Sequence, residues 1–107
     1  MWEDQSLKMK EITTKELADL LAAKDIKLID VRTPIEYLAG HIKEAKNFPL
    51  EEIESFDLPK SDRYYLICRS GNRSGQAAAI LSQKGYTDLV NVQGGMLDWD
   101  GATINDL

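Results

Sequence analysis

One stretch of the 107-residue chain narrows its possible folds more than any other: Tyr64-Tyr65-Leu66-Ile67-Cys68-Arg69-Ser70-Gly71-Asn72-Arg73-Ser74-Gly75. An apolar, aromatic and β-branched run ends at the only cysteine, and a polar segment containing Gly71 then leads into a helical pattern from Ser74. This order predicts a buried strand, a tight loop and a helix. A loop closing onto a helix N-terminus aims several backbone N–H groups inward and adds the positive end of the helix dipole. Free cysteine titrates near ~8.5 and a thiol in such surroundings at roughly 3.5 to 7.5, so Cys68 is expected to be a nucleophile at neutral pH without a neighbouring histidine. Gly71 can adopt positive φ at no steric cost and Asn72 tolerates it better than most residues, which would let the backbone curl around the sulfur. The competing reading is an inert cysteine buried at a strand end.

The stretch Cys68 to Ser74 resembles the active-site loop of the rhodanese family of sulfurtransferases, in which a cysteine, a short amide-lined loop with a glycine, and a helix follow one another. Three further segments resemble that family in the right order: Leu28-Ile29-Asp30-Val31-Arg32; Glu36 with Gly40-His41-Ile42 and Asn47-Phe48-Pro49; and Gly94-Gly95 followed by Trp99. Together they cover the chain from about residue 9 to residue 100. The family often has a Pro-Gly type of turn after the Gly-His-Ile motif, where Lys43-Glu44 stand here. The resemblance implies an α/β fold, a rhodanese-like three-layer domain whose mainly parallel five-stranded sheet is flanked by helices on both faces. It also implies that Asp30 and Arg32 mainly shape and support the active-site loop.

The rest of the chain agrees with that architecture. Its length suits one domain with a real core and no second one, over residues 1–107, with residues 1–7 as a loose lead-in and Trp2 docked or frayed. Met9 to Ile12 reads as a short strand. Thr13 with Glu16 forms a capping box before the stripe of Leu17, Leu20 and Leu21, and that helix should run to about Ala23. Lys27 to Val31 reads as a buried parallel strand interrupted by Asp30 near the carboxyl end, the edge that borders the ligand crevice in open α/β sheets. There Asp30 can accept backbone hydrogen bonds and Arg32 can pair with Glu36, or both can take a direct part in chemistry. Thr33, Pro34 and Glu36 start another helix, ended by Gly40. His41, the only histidine, reads as a hydrogen-bonded structural residue rather than a base. Ala45 to Pro49 is a strand stopped by proline, and Leu50 to Phe56 a small acidic helix with Leu50, Ile53 and Phe56 inward. Beyond the loop, Ser74 to Lys84 forms a helix burying Ala77, Ile80 and Leu81 and stopped by Gly85. Leu89 to Val92 is the last strand, Gln93-Gly94-Gly95 a turn, and Met96 to Trp99 a final helical turn with Trp99 packing. Strands alternating with helices give a mainly parallel sheet.

A net charge of -5 argues against nucleic acid or an anionic membrane as the main partner. Arg63, Arg69 and Arg73 fall between residues 63 and 74 with no acid among them, which predicts a positive mouth around Cys68 that attracts small anions. No apolar run reaches the length of a membrane span, and Met1 to Ser6 lacks the features of a secretion signal, so a cytoplasmic protein is expected. One cysteine and one histidine make neither an internal disulfide nor a protein-built zinc site, and no cofactor or metal is expected.

Loop length separates the enzyme readings. Four residues stand between Cys68 and Arg73, against five in the signature of cysteine-dependent phosphatases, including those that share the rhodanese-like fold. The smaller ring of amides suits one terminal sulfur and is too tight for a phosphate, and neither a histidine before Cys68 nor an obvious acid aspartate is present. The absence of a second cysteine weighs further against an arsenate reductase. The expected reaction is thiosulfate sulfurtransferase chemistry through a Cys68 persulfide, with amides from Arg69 to Ser74 (Arg69, Ser70, Gly71, Asn72, Arg73, Ser74) stabilising the anionic sulfur. Arg69 would meet the sulfonate of a small anionic sulfur donor, and Arg73 would do likewise or brace the loop on a carboxylate such as Asp30. With no resolving cysteine, the acceptor is external: cyanide, a thiol, or a sulfur-carrier or acceptor protein. A non-catalytic rhodanese-like binding module is the rival from another class.

Overall fold

In the computed structural model, which describes residues 9–106, five short strands form a single sheet: β1 (Lys10–Ile12), β2 (Leu28–Asp30), β3 (Ala45–Asn47), β4 (Tyr64–Ile67) and β5 (Leu89–Val92). Their order across the sheet is β1-β5-β4-β2-β3, and every neighbouring pair is parallel. Helices α1 (Thr14–Ala23), α2 (Pro34–Ala39) and α3 (Asn72–Gln83), with a 3₁₀ helix at Leu50–Ser55, supply the crossovers, and α4 (Gly95–Asp98) follows the last strand. The expected lead-in over residues 1–7, Trp2 included, lies outside the described residues. Among the described residues no helix is long and apolar enough to cross a membrane.

Parallel strands covered on both sides must be apolar on both sides, and the alternation along β4 shows how the two faces divide. Tyr64 and Leu66 point to one layer with Ile29, Val31, Ile53, Phe56, Ala77, Ala78, Leu81 and Tyr86. Tyr65 and Ile67 point to the other with Leu17, Leu28, Ile42, Val90 and Val92. Thus α3 and the 3₁₀ helix cover one face, and α1, α2 and α4 the other. The first face contains a ring cluster in which Phe56 lies 5.1 Å from Phe48, 5.3 Å from Tyr64 and 5.4 Å from Tyr86, at tilted or edge-on angles.

The helix starts follow from local chemistry. Thr13 and Thr33 each accept from the N–H of the glutamate three residues on, and that glutamate accepts from the threonine N–H, at 2.8 Å for Glu16 and 3.0 Å for Glu36. The acidic segment after Pro49 winds as a 3₁₀ helix because Leu50, Ile53 and Phe56 recur every three residues, which stacks all three on one face. Two expectations about α3 need correction. It begins at Asn72 rather than Ser74, and its N-cap is Gly71 at φ 101°. Asn72 is therefore its first helical residue and takes no left-handed conformation; among the described residues only glycines have positive φ. A left-handed glycine redirects the chain in one step, so no further loop residue is required.

Phe56 is 1% exposed at the centre of the ring cluster. Phe56→Ala is expected to lower unfolding free energy by about 3–5 kcal/mol in chemical denaturation. A loss below about 1 kcal/mol would show that the cluster does not hold this face together.

Candidate active site

Cys68 directly follows β4, the central strand. From β2 the chain crosses to β3 on one side, and from β4 to β5 on the other, so the carboxyl ends of β2 and β4 form a topological switch point. Cys68 is 1% exposed and joins the apolar layer under α3. Its sulfur nonetheless meets donors: the Gly71 N–H at 3.1 Å and the Ser74 hydroxyl at 3.3 Å. Burial pushes the thiol up, but the Ser74 hydroxyl and the N–H groups of Ser74, Gly71 and Ser70 outweigh it, and Cys68 titrates below the ordinary thiol value. Sequence spacing predicts a crown of amides from Arg69 through Ser74; the donors that reach the sulfur are those of Ser70, Gly71 and Ser74. Asn72 and Arg73 occupy the first turn of α3, whose N–H groups have no intrahelical partner.

The loop has this orientation because its carbonyls are held from the other side. Cys68 O accepts from Met96 N–H at 2.8 Å and Arg69 O from Leu97 N–H at 2.9 Å, both in the first turn of α4. With those oxygens drawn outward, the N–H groups of the same two peptides, on Arg69 and Ser70, face the opposite way, and that of Ser70 reaches the sulfur. The approach requires Gly95: a Cβ there would lie 2.4 Å from Cys68 O and 2.6 Å from Arg69 O, and φ at this residue is 55°.

The charged residues are paired differently from the expectation. Asp30, fully buried, holds Arg32 rather than Arg73, through contacts of 3.0, 3.1 and 2.8 Å to Nε and Nη2 and a further 3.0 Å bond from the Arg32 N–H. Arg32 also donates to Gly40 O at 2.8 Å and so ties the end of β2 to the end of α2. Glu36 in turn holds Arg73, not Arg32, in a two-pronged pair of 2.7 and 2.9 Å. Glu36 already faces its own N-cap and therefore presents its carboxylate to the first turn of α3, while Arg32, before the cap, folds back onto Asp30. The Arg73 guanidinium, with help from the Thr33 N–H and hydroxyl and against partial burial, lowers the Glu36 carboxyl to about 2. Arg63 also departs from expectation. It precedes β4, roughly 16 Å along the strand from Cys68, and binds Asp88 at 3.0 Å instead of joining the mouth. Arg69 is exposed and makes no ion pair with any described residue. His41 is buried, stacks on Tyr37 with ring centres 3.7 Å apart, and places Nδ1 2.7 Å from Tyr37 O, a structural role as expected.

Two residues absent from the sequence reading belong to this site. Asn91 on β5 accepts from the Ser74 hydroxyl and donates to Glu11 Oε2 at 3.0 Å. The available signal is a polar residue inside the apolar run Leu89-Val90-Asn91-Val92, the same kind of interruption that Asp30 makes in β2. Glu11 on exposed β1 has no such signal, because only the parallel pairing of Glu11 with Asn91 brings them together.

Comparison with known proteins places the chain among others built this way. The family model described as Rhodanese-like domain matches residues 13–102. A sulfurtransferase of Allochromatium vinosum is 38% identical over 94 residues, covering 85% of this chain and 88% of that protein. The adenylyltransferase and sulfurtransferase uba4 of Ogataea parapolymorpha is 37% identical over 75 residues, which is 67% of this chain but 19% of that longer protein. The crystal structure of a rhodanese-like domain protein from Staphylococcus aureus superposes with a TM-score of 0.78 at 40% identity, covering 92% of this chain and all of that one.

Gly95→Ala is expected to push α4 off the loop, costing about 2–3 kcal/mol of stability and slowing alkylation of Cys68 at pH 7; an unchanged rate would show that the α4 contacts do not orient the loop. Glu36 has its folded pKa depressed, so its contribution is complete above the ordinary value of 4.5 and is lost as pH falls through about 2. The stability difference between the wild type and Glu36→Gln should accordingly be constant above pH 5 and shrink below it; a difference that grows on acidification would contradict the pairing.

Proposed function

The chain belongs to the rhodanese-like domain family, and from that membership we propose that it is a sulfurtransferase carrying sulfane sulfur on Cys68. Relatives named as sulfurtransferases support a sulfur-transfer role. The observation that carries the reading further is the hydrogen bonding of one buried sulfur by the Gly71 N–H and the Ser74 hydroxyl.

The Cys68 thiolate attacks the outer sulfur of a donor such as thiosulfate. The bond between the two donor sulfurs breaks, sulfite leaves with the electron pair, and Cys68 becomes a persulfide whose outer sulfur is anionic. A persulfide reaches about 2 Å farther than the thiolate, toward the unpartnered first-turn amides of α3, which offer an anion the same kind of stabilisation as an oxyanion hole. Cyanide or a thiolate then attacks the outer sulfur, and Cys68 leaves as thiolate. Arg69, exposed and unpaired among the described residues, receives the donor's anionic end, while Arg73 braces the loop on Glu36. Asp30 and Arg32 hold the neighbouring strand end. A sulfur-carrier or acceptor protein is the natural discharging partner, a reading supported by the relative whose name joins adenylyl transfer to sulfur transfer.

Incubation with thiosulfate should add the mass of one sulfur atom to the wild type and nothing to Cys68→Ser. Arg69→Ala should raise KM for thiosulfate roughly tenfold with little change in kcat. An unmodified wild type that still captures a partner would favour a binding module, and phosphate release from an aryl phosphate without thiocyanate formation would favour a phosphatase.

A further inference from the structure

The Ser74 hydroxyl has one proton and two acceptors. Cys68 Sγ lies 3.3 Å from it on one side and Asn91 Oδ1 is within hydrogen-bond distance on the other. The Asn91 amide is not free to turn: Nδ2 lies 3.0 Å from Glu11 Oε2 and 3.4 Å from Gly71 O, which can only accept, so Oδ1 must face Ser74. Ser74 and Asn91 are both buried, where an unpaired polar atom is costly.

With Cys68 as a neutral thiol, both needs can be met, because the S–H donates to Ser74 Oγ while the hydroxyl donates to Asn91. An ionised sulfur has no proton to give. The hydroxyl then either turns to the sulfur and leaves Asn91 Oδ1 unpaired, or stays and leaves the thiolate short of a donor. In a persulfide the negative charge sits on the outer sulfur, Sγ is a weak acceptor, and the hydroxyl can return to Asn91. Resting on the reading of Cys68 as the sulfur carrier, we propose that Asn91, oriented by Glu11, is a positioning residue that competes with the Cys68 sulfur for the Ser74 proton and thereby favours the sulfur-loaded form over the free thiolate.

The charged residues on the elements next to this cluster are Lys10 and Glu11 on β1, Asp30 at the end of β2 and Arg32 just after it, Glu36 on α2, Arg69 in the loop, Arg73 on α3 and Asp98 on α4. Asp30 is paired with Arg32 and Glu36 with Arg73, and Glu11 is the carboxylate that touches Asn91.

Because Cys68 is the only cysteine, the pH dependence of its alkylation by iodoacetamide reads its ionisation directly. Ser74→Ala should raise the midpoint by about one pH unit. Asn91→Val should lower it by a similar amount, since the hydroxyl then serves the sulfur alone. Glu11→Gln, at an exposed position that tolerates change, should lower it by less, because an amide in place of the Glu11 carboxylate can both donate and accept and so lets the Asn91 amide turn over. Combined with Ser74→Ala, the Asn91→Val shift should vanish and Glu11→Gln should keep only the effect of its lost charge. Loading from thiosulfate at a fixed thiosulfate-to-sulfite ratio should favour the persulfide about tenfold less in Asn91→Val. Midpoints unmoved by both substitutions, or shifts that persist in full without the Ser74 hydroxyl, would overturn the competition. Shifted midpoints in a protein that never takes up sulfur would instead overturn the proposed reaction while upholding the competition for the proton.

Discussion

The architecture of the site depends on the direction of a few peptide groups. Two carbonyls, of Cys68 and Arg69, are held by the first-turn N–H groups of α4, and the peptide that carries the Arg69 oxygen presents its other side, the Ser70 N–H, toward the sulfur. A peptide is planar, so fixing its oxygen on one side fixes its hydrogen on the other. The contact requires α4 to come so close to the loop that only a residue without Cβ fits at Gly95. The left-handed Gly71 completes the geometry by starting α3 at once, which brings its first-turn amides and the Ser74 hydroxyl up against Cys68.

Around that core of backbone geometry, two ion pairs act as braces between elements rather than as contacts to a ligand. Asp30 and Arg32 bind one another at the end of β2 and reach Gly40 at the end of α2. Glu36 joins the N-cap of α2 to the first turn of α3 through Arg73. The Glu36 carboxylate thus performs a local and a long-range task at once. With Arg73 occupied and Arg63 at the far end of β4, Arg69 provides a positive charge beside the site that is unpaired among the described residues. An acidic protein can therefore present a cation beside its cysteine.

The buried polar groups behind the sulfur add a further layer. Ser74, Asn91 and Glu11 run from the cysteine to the exposed edge strand, every member hydrogen-bonded and each orientation set by the next. Such a chain rigidifies a site when all its members are satisfied. Its single shared proton makes its balance sensitive to the charge on the sulfur.

The sequence by itself determined the elements and their class. Both capping boxes, the apolar runs of the strands, the 50/53/56 spacing and the strand–cysteine–glycine–helix stretch are local patterns, and a local pattern has a local physical cause that can be read without knowing the fold. The alternation of strands and helices pointed to a mainly parallel sheet and the strand–loop–helix stretch to Cys68 as the candidate nucleophile; the family resemblance added the five-strand count and the sulfur chemistry. Only the tertiary structure decided which acid meets which base, why Gly95 is needed, and that Glu11 and Asn91 stand behind Ser74. Those depend on which strands become neighbours and how closely α4 approaches, over separations such as the 80 residues between Glu11 and Asn91. Arg32 shows the limit well: a partner one helical turn away in sequence was outcompeted by Asp30, because a capping glutamate points its carboxylate back at its own N-cap and across to α3.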